Sequence, residues 1–186
     1  MRRFSFRPAL SLKGRQFKGL RGFAGKPFHP PLTDVPVGAY ILAPAFDVIS
    51  TVGGDDHRWA TDFYRAGTFV LIGGAIVSLF AALTGFWDWF RSTEPGNQAR
   101  RTANAHMLVM LTLTAVVIVD IVLRLANYDD AHTPVGVLVL SVIVAGLVTV
   151  GGTIGGSLAY DYGFNVETAG DSPVWHESET DVLHGQ

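Results

Sequence analysis

The sequence predicts an all-α protein, an integral membrane four-helix bundle built from two duplicated helical hairpins. Three observations lead to this prediction: four long apolar segments, charge confined to the stretches around them, and acidic residues that recur at one spacing. The 186 residues are enough for a single domain. We divide the chain into a basic, aromatic N-terminal arm at 1–33, a transmembrane domain at 34–162 and an acidic C-terminal tail at 163–186.

Two of the predicted spans contain no charged residue. They cover residues 66–87 and 134–160. A hydrocarbon core of roughly 30 Å needs about 20 helical residues, because each residue rises about 1.5 Å. Both segments are long enough, so they are the second and fourth spans.

The other two predicted spans contain charged residues. The third, at 107–126, includes Asp120 and Arg124, which lie four residues apart on one helix face and can neutralise each other. The first, at 35–52, is short and includes Asp47. We still assign it as a span, because nothing else in the chain offers a soluble domain on which such a helix could pack.

The distribution of Lys and Arg predicts a multi-pass protein of the cell membrane with both termini in the cytoplasm. One side of the membrane receives the eight basic residues of Met1–Phe28, together with Arg91, Arg100 and Arg101. The opposite side receives only Arg58 and Arg65 outside the spans. Because positively charged flanks stay in the cytoplasm, the first side is the inner one.

One offset recurs along the chain and indicates a duplicated hairpin. Asp120 follows Asp47 by 73 residues, and Asp161 follows Asp88 by the same number, with aromatic neighbours on both sides of each member of the second pair. The acidic outer loops of the two copies also match within one residue. Both copies cross the membrane in the same direction, so we expect a pseudo-two-fold axis along the membrane normal.

Asp47, Asp120 and Arg124 are predicted to lie at a similar depth and to form a structural ion network. An ionisable residue inside a membrane costs roughly 2.5–3.5 kcal/mol, so each one is a functional candidate until a structural role is found. A proton or ion path through the same residues remains the alternative interpretation.

His29 and His106 are the candidate cofactor-binding residues. His106 belongs to a stripe of the third helix that faces the bundle near the cytoplasmic side, and His29, just before the first span, has a roughly matching place in the other copy. Such a pair can bind a b-type haem axially, or a metal together with one of the cytoplasmic-side acids Asp88 and Asp161. Because a histidine at a helix start more often bonds nearby groups, we expect both rings to hydrogen-bond to nearby backbone, acids or water, and the haem or metal site is the alternative.

The arm and the tail indicate the kinds of partner. The arm alternates basic with aromatic residues, which favours anionic lipid headgroups or an acidic protein neighbour over nucleic acid. After Tyr162 the tail has five acidic residues and no Lys or Arg, which is typical of a solvated or partner-binding segment. We therefore expect the lipid bilayer and other membrane protein subunits as partners, and no nucleic acid.

Composition excludes several chemistries. The chain has no cysteine, so it has no disulfide, no thiolate metal site and no cysteine nucleophile, and it cannot ligate an iron–sulfur cluster alone. It also has no glycine-rich phosphate loop, no nucleophile elbow and no zinc-protease signature. A hydrolase or a nucleotide-binding enzyme therefore has no support.

Four stretches resemble a family of small bacterial four-helix membrane proteins of unknown function (DUF2231-like). They are residues 25–38 (GKPFHPPLTDVPVG), residues 84–89 (TGFWDW), the helix opening at His106 and residues 155–160 (GGSLAY). The resemblance implies four spans and an actinobacterial plasma membrane. Some family members are fused to Rieske iron–sulfur domains, which implies an association with redox proteins. This chain itself has no Rieske cysteines.

The leading interpretation of function is a non-enzymatic accessory or scaffold subunit of a larger membrane assembly. The alternative is a membrane electron-transfer protein that binds b-type haem, or a metal, through His29 and His106. A proton or ion transporter that uses Asp47, Asp120 and Arg124 is the second alternative, because four short helices leave little room for an alternating-access path.

Overall fold

The computed structural model describes residues 19–20 and 27–166, and these residues form four long helices. The helices are α1 (His29–Gly53), α2 (Arg58–Ser92), α3 (Gln98–Ala126) and α4 (Val135–Tyr160), with one turn of 3-10 helix at Gly54–Asp56. Each of the four is long and apolar enough to cross a membrane. The prediction of an all-α, membrane-spanning four-helix bundle is therefore confirmed. Most of the N-terminal arm and nearly all of the acidic tail lie outside the described residues.

The first helix begins earlier than the sequence predicted. It starts at His29 and places Pro30 and Pro31 in its first turn, where the missing N–H groups would have no helical partner in any case. Pro36 and Pro44 lie inside the helix, which remains continuous over 25 residues. His29 is thus part of α1 and does not merely precede it.

The helices pack as a square in which sequence neighbours are adjacent. The close pairs are α1 with α2, α3 with α4, α1 with α4 and α2 with α3, while α1 and α3 lie on a diagonal. We call the end that holds Pro27, Phe28, the connection 93–97 and residues 161–166 the terminal end. The end that holds Gly54–His57 and the connection 127–134 is the far end.

Small residues allow the helices of each hairpin to approach closely. A Cβ atom on Gly74 of α2 would lie 2.5 Å from the Cβ of Ala39 on α1. In the second hairpin, a Cβ on Gly151 would lie 2.6 Å from the Sδ of Met110. A side chain at position 74 would clash with α1, and one at position 151 would displace the Met110 side chain, so these glycines allow the close approach of the helices inside the bundle.

The structure aligns the two hairpins in a register that differs from the sequence prediction. The buried residues of α1 and α3 superpose at an offset of 77, which pairs Pro36, Tyr40, Ala43 and Asp47 with Leu113, Val117, Asp120 and Arg124. In α2 and α4 the equivalent offset is 70, because His29 of α1 contacts Ala81 of α2 and its counterpart His106 contacts Gly151 of α4. This offset pairs the buried residues Gly67, Leu71, Gly74, Ala81 and Asp88 with Val137, Ser141, Val144, Gly151 and Leu158. The duplication is real, but the 73-residue spacing of the acids is not its register.

This register changes which residues are equivalent. Asp47 corresponds to Arg124, and Asp88 corresponds to Leu158. Residues related by a two-fold axis touch when they lie close to it, and two contacts join residues 77 apart, between Asp47 and Arg124 and between Asp55 and His132. The pseudo-two-fold axis therefore passes through the far end of the bundle near these contacts.

One side of the square is less tightly closed than the others. The seam between α1 and α4 packs more closely than its counterpart between α2 and α3. The α2–α3 seam holds an open groove of about 280 Å³, whose lining includes Leu79 and Ala82 of α2, Thr114 and Ile118 of α3, and Tyr40 of α1. The surface of the groove has few polar atoms, so the groove is suited to apolar groups.

Candidate functional sites at the two ends of the bundle

The far end contains a fully buried network of one base and two acids. The Arg124 guanidinium donates to both carboxylate oxygens of Asp47, through Nη1 to Oδ1 at 2.9 Å and through Nη2 to Oδ2. Its Nε donates to Oδ1 of Asp120 at 3.0 Å. All three side chains have no exposed surface. The structure thus brings together the three residues that the sequence suggested as an ion network.

Gly67 of α2 makes room for this network. A Cβ at that position would lie 3.3 Å from Oδ1 of Asp47 and 3.5 Å from Nη1 of Arg124. Tyr64, one turn earlier, donates its hydroxyl to the carbonyl oxygen of Arg124 at 3.2 Å. Helix α2 therefore supports the charges on α1 and α3, although it contributes no charge of its own to the network.

The far connections close over the ion network. Thr133, in the connection between α3 and α4, donates its hydroxyl to Oδ1 of Asp47 at 3.2 Å and its backbone N–H to Oγ of Ser50 at 2.9 Å. Ser50 in turn donates to the carbonyl of Ala60 at 2.7 Å. Thr133 and Ser50 are both fully buried. These bonds tie the start of α2 and the connection 127–134 to the charged centre.

The terminal end holds the two candidate histidines, whose main contacts are alike, although Nδ1 of His29 also lies 3.3 Å from Oγ1 of Thr84. Nδ1 of His29 lies 2.8 Å from the carbonyl oxygen of Ala81, and a Cβ on Gly85 would lie 2.7 Å from the imidazole. Nδ1 of His106 lies 2.9 Å from the carbonyl oxygen of Gly151, and a Cβ on Gly155 would lie 3.2 Å from that ring. Each ring bonds a carbonyl of the partner helix and packs on a glycine four residues further along.

The carbonyl contacts fix the tautomer of both rings. A carbonyl oxygen can only accept, so Nδ1 must carry the hydrogen and donate it. In a neutral imidazole this leaves the lone pair on Nε2. Among the described residues neither Nε2 atom has a hydrogen-bond partner. This arrangement is the one commonly found in histidines that ligate a metal through Nε2.

The two cytoplasmic-side acids of the sequence prediction have different environments. Asp88 is buried at the terminal end and accepts the backbone N–H of Leu20 at 3.0 Å, so it holds the chain before α1 against the bundle. Asp161 is exposed beyond the end of α4. Within residues 27–166, no three of the His, Asp and Glu side chains converge as a protein-only metal site would require.

Sequence reasoning missed the uncharged residues that complete both sites. Ser50, Tyr64, Gly67 and Thr133 surround the ion network, and nothing in their local sequence marks them. Gly85 and Gly155 lie in the stretches that carry the family resemblance, but only the structure pairs each one with a histidine. The equivalence of the two glycines becomes visible at an offset of 70, which the acid spacing had concealed.

The ion network should stabilise the fold, and substitution of its single base, Arg124, tests this. Arg124→Met leaves the Asp47 carboxylate buried without its partner, which typically destabilises a protein by about 3–5 kcal/mol. We expect a much lower midpoint of thermal unfolding in detergent, and partial recovery when Asp47→Asn is added. Arg65→Met is the matched control, since Arg65 is partly exposed and pairs with the exposed Asp129 at 3.6 Å. An Arg124→Met protein that unfolds at the wild-type temperature would contradict a structural role.

Comparison with known proteins identifies a family but no activity. The model of a family described as "Predicted membrane protein (DUF2231)" matches residues 25–168, which include all four helices and both sites. No curated protein and no solved structure matches the chain. By the length of this match, the chain belongs to the DUF2231 family of predicted membrane proteins.

Proposed function

We propose that the chain is a membrane electron-transfer protein that holds one b-type haem between His29 and His106. The observation that carries this proposal is the equivalence of the two imidazoles, which occur at matching positions, bond equivalent carbonyls and pack on equivalent glycines. Haem supplies one-electron transfer when it is bound. The residues of the chain supply the ligands, their orientation and the surrounding apolar helices.

The depth of the two histidines supports their use as a pair. His29 lies 18 residues before Asp47 on α1, and His106 lies 18 residues before Arg124 on α3. Asp47 and Arg124 touch, so both histidines lie roughly 27 Å from one common point at 1.5 Å per residue. A two-fold axis then sets the rings on opposite sides of the bundle, from where both could bind the iron of one haem.

The donor set fits a haem iron. Both Nδ1 atoms donate to backbone carbonyls, which holds each ring in place and leaves both Nε2 lone pairs for the metal. Gly85 and Gly155 let each ring pack directly against the backbone of the partner helix. Two imidazoles are enough for axial ligation, so the lack of a third ligating side chain among residues 27–166 is no obstacle.

An absorbance spectrum tests the haem proposal. The full-length protein, purified from cells supplied with a haem precursor, should show a Soret band and the reduced-minus-oxidised bands of a b-type haem. His29→Ala or His106→Ala should abolish these bands, whereas His57→Ala and His132→Ala at the far end should retain them. The proposal would be wrong if the protein had no Soret band, or if the band survived both His29→Ala and His106→Ala.

The glycines provide a matched pair of substitutions within α2 in the same experiment. A methyl group on Gly85 would press against His29, whereas Gly73 has open space around it. Gly85→Ala should therefore shift or weaken the haem bands, and Gly73→Ala should leave them unchanged.

An accessory subunit of a larger membrane assembly is the second candidate, and the open α2–α3 seam favours it. The seam offers an apolar groove that a helix of a partner subunit can fill, whereas the equivalent α1–α4 seam is packed. The two candidates are compatible, because a haem-carrying subunit can also dock on other subunits.

Filling the groove tests the accessory role. Ala82→Trp should fill the groove and displace the partner subunit. The complex extracted from native membranes in mild detergent should then be smaller, as measured by its migration. Leu83→Trp is the control, since Leu83 is the next residue of α2, is 69% exposed and does not line the groove. Equal migration of the two variants and the wild type would rule out docking through this seam.

We further propose that the terminal end faces the cytoplasm of a cell whose plasma membrane holds the protein. Arg91, Arg100 and Arg101 flank the helices at that end, and the basic arm leads into it, whereas Arg58 and Arg65 are the basic flank of the far end. Single cysteines introduced into this cysteine-free chain test the orientation in intact cells. An impermeant thiol reagent should label position 56 and not position 98, and the reverse pattern would invert the topology.

A further inference from the structure

The buried network at the far end contains more acid than base. Arg124 contributes one positive charge, and Asp47 and Asp120 would contribute two negative charges if both were ionised. A net charge in a water-free part of a membrane protein is strongly unfavourable, so such a site is usually neutralised by a proton or a counter-ion. One of the two acids therefore needs a proton for the site to be neutral.

The hydrogen bonds distinguish the two acids. Asp47 accepts from both terminal nitrogens of Arg124 and from the Thr133 hydroxyl, so both of its oxygens are occupied. Asp120 accepts a single bond, at Oδ1. Its Oδ2 is buried and has no hydrogen-bond partner within the described chain. The bidentate pair with Arg124 keeps the negative charge on Asp47, and the unpartnered oxygen belongs to Asp120.

We propose that Asp120 is a proton-binding site, whose carboxyl holds one proton on Oδ2 at neutral pH and releases it at higher pH. The proton gives the network equal numbers of positive and negative charges without breaking the bond from Arg124 Nε to Oδ1. When the proton leaves, one uncompensated negative charge remains under the far connections.

No second cation among the described residues compensates this charge. The ionisable groups that face the site are Asp47 on α1, Tyr64 on α2 and Arg124 on α3. Of these, Tyr64 is neutral. Helix α4 has no acidic or basic residue, and the nearby connection 127–134 adds the acidic Asp130. Apart from Arg124, the charged groups named here are acidic, and they favour a proton on Asp120.

The far end is the nearer aqueous side for this proton. Asp120 lies six residues before the end of α3, which is roughly 9 Å along the helix. Thr133 and Ser50 lie between the network and that surface, and their hydroxyls belong to the bonds that close it. Proton exchange thus requires this layer to open, and the protonation state of Asp120 acts on the layer through Asp47.

Infrared spectroscopy of the full-length protein in lipid bilayers tests the proposal. A protonated carboxyl has a C=O stretching band separate from the carboxylate bands. The wild type at pH 7 should show such a band, which should be lost as the pH rises. Asp120→Asn should lack it at pH 7, and Asp120→Glu should shift its frequency.

Two further variants separate Asp120 from other carboxyls. Asp88→Asn should retain the Asp120 component, which excludes the buried acid of the terminal end as its source. Asp47→Asn should lose the Asp120 component, because Asp120 must then ionise to balance Arg124. A wild type without a protonated-carboxyl band at pH 7, or a band that Asp120→Asn leaves unchanged, would overturn the proposal.

Discussion

The contact between Arg124 and Asp47 is the interaction on which the rest of the bundle depends. It joins two helices that lie on a diagonal of the bundle, and it does so at the pseudo-two-fold axis. A symmetric pair of acids or of bases at this position would repel. The two copies must therefore differ here, and the duplicated chain has an acid in one copy and a base in the other. Gly67, Thr133 and Ser50 then have defined roles, since Gly67 makes room for the charged pair, Thr133 donates to Asp47, and Ser50 accepts the backbone N–H of Thr133.

The two ends of the bundle show opposite outcomes of the same duplication. At the far end the equivalent residues have become different, and the result is an ion pair. At the terminal end the equivalent residues are both histidine, and the symmetry of their surroundings extends to the carbonyl that each ring bonds and the glycine on which it packs. Tertiary packing alone does not require a histidine at both places, because an apolar residue would fill either position without a buried polar group. This argument favours a ligand that uses both rings over two independent structural roles.

The sequence predicted the helices well because a span needs only length and few charged residues. It placed the start of α1 too late, since the Pro30-Pro31 pair resembles a break, although proline is readily accepted in the first turn of a helix. The register was wrong for a geometric reason. Asp120 lies one helical turn from Arg124, so offsets of 73 and 77 place the same helix face inward. The pairs of acids that match at 73 therefore favoured the wrong offset. Ser50 and Thr133 were missed because their importance comes from contacts between distant parts of the chain, which local sequence does not reveal.

The unequal lengths of the helices have a consequence for the membrane itself. Helix α2 has 35 residues and α4 has 26, which correspond to roughly 52 Å and 39 Å. The two lie on opposite corners of the bundle, but the charge-free part of α2 is only 66–87, roughly 33 Å, whereas all 26 residues of α4 are free of charge. A hydrocarbon layer of about 30 Å therefore matches the apolar part of α2, and the charged turns at 58–65 and 88–92 extend beyond it. Helix α4 is the corner whose apolar length exceeds the layer, and the bundle lowers that mismatch by tilting or by thickening the lipid locally beside α4. The lipids beside α4 should therefore be more strained than those beside α2, and membranes of different thickness would favour different tilts of the same rigid fold.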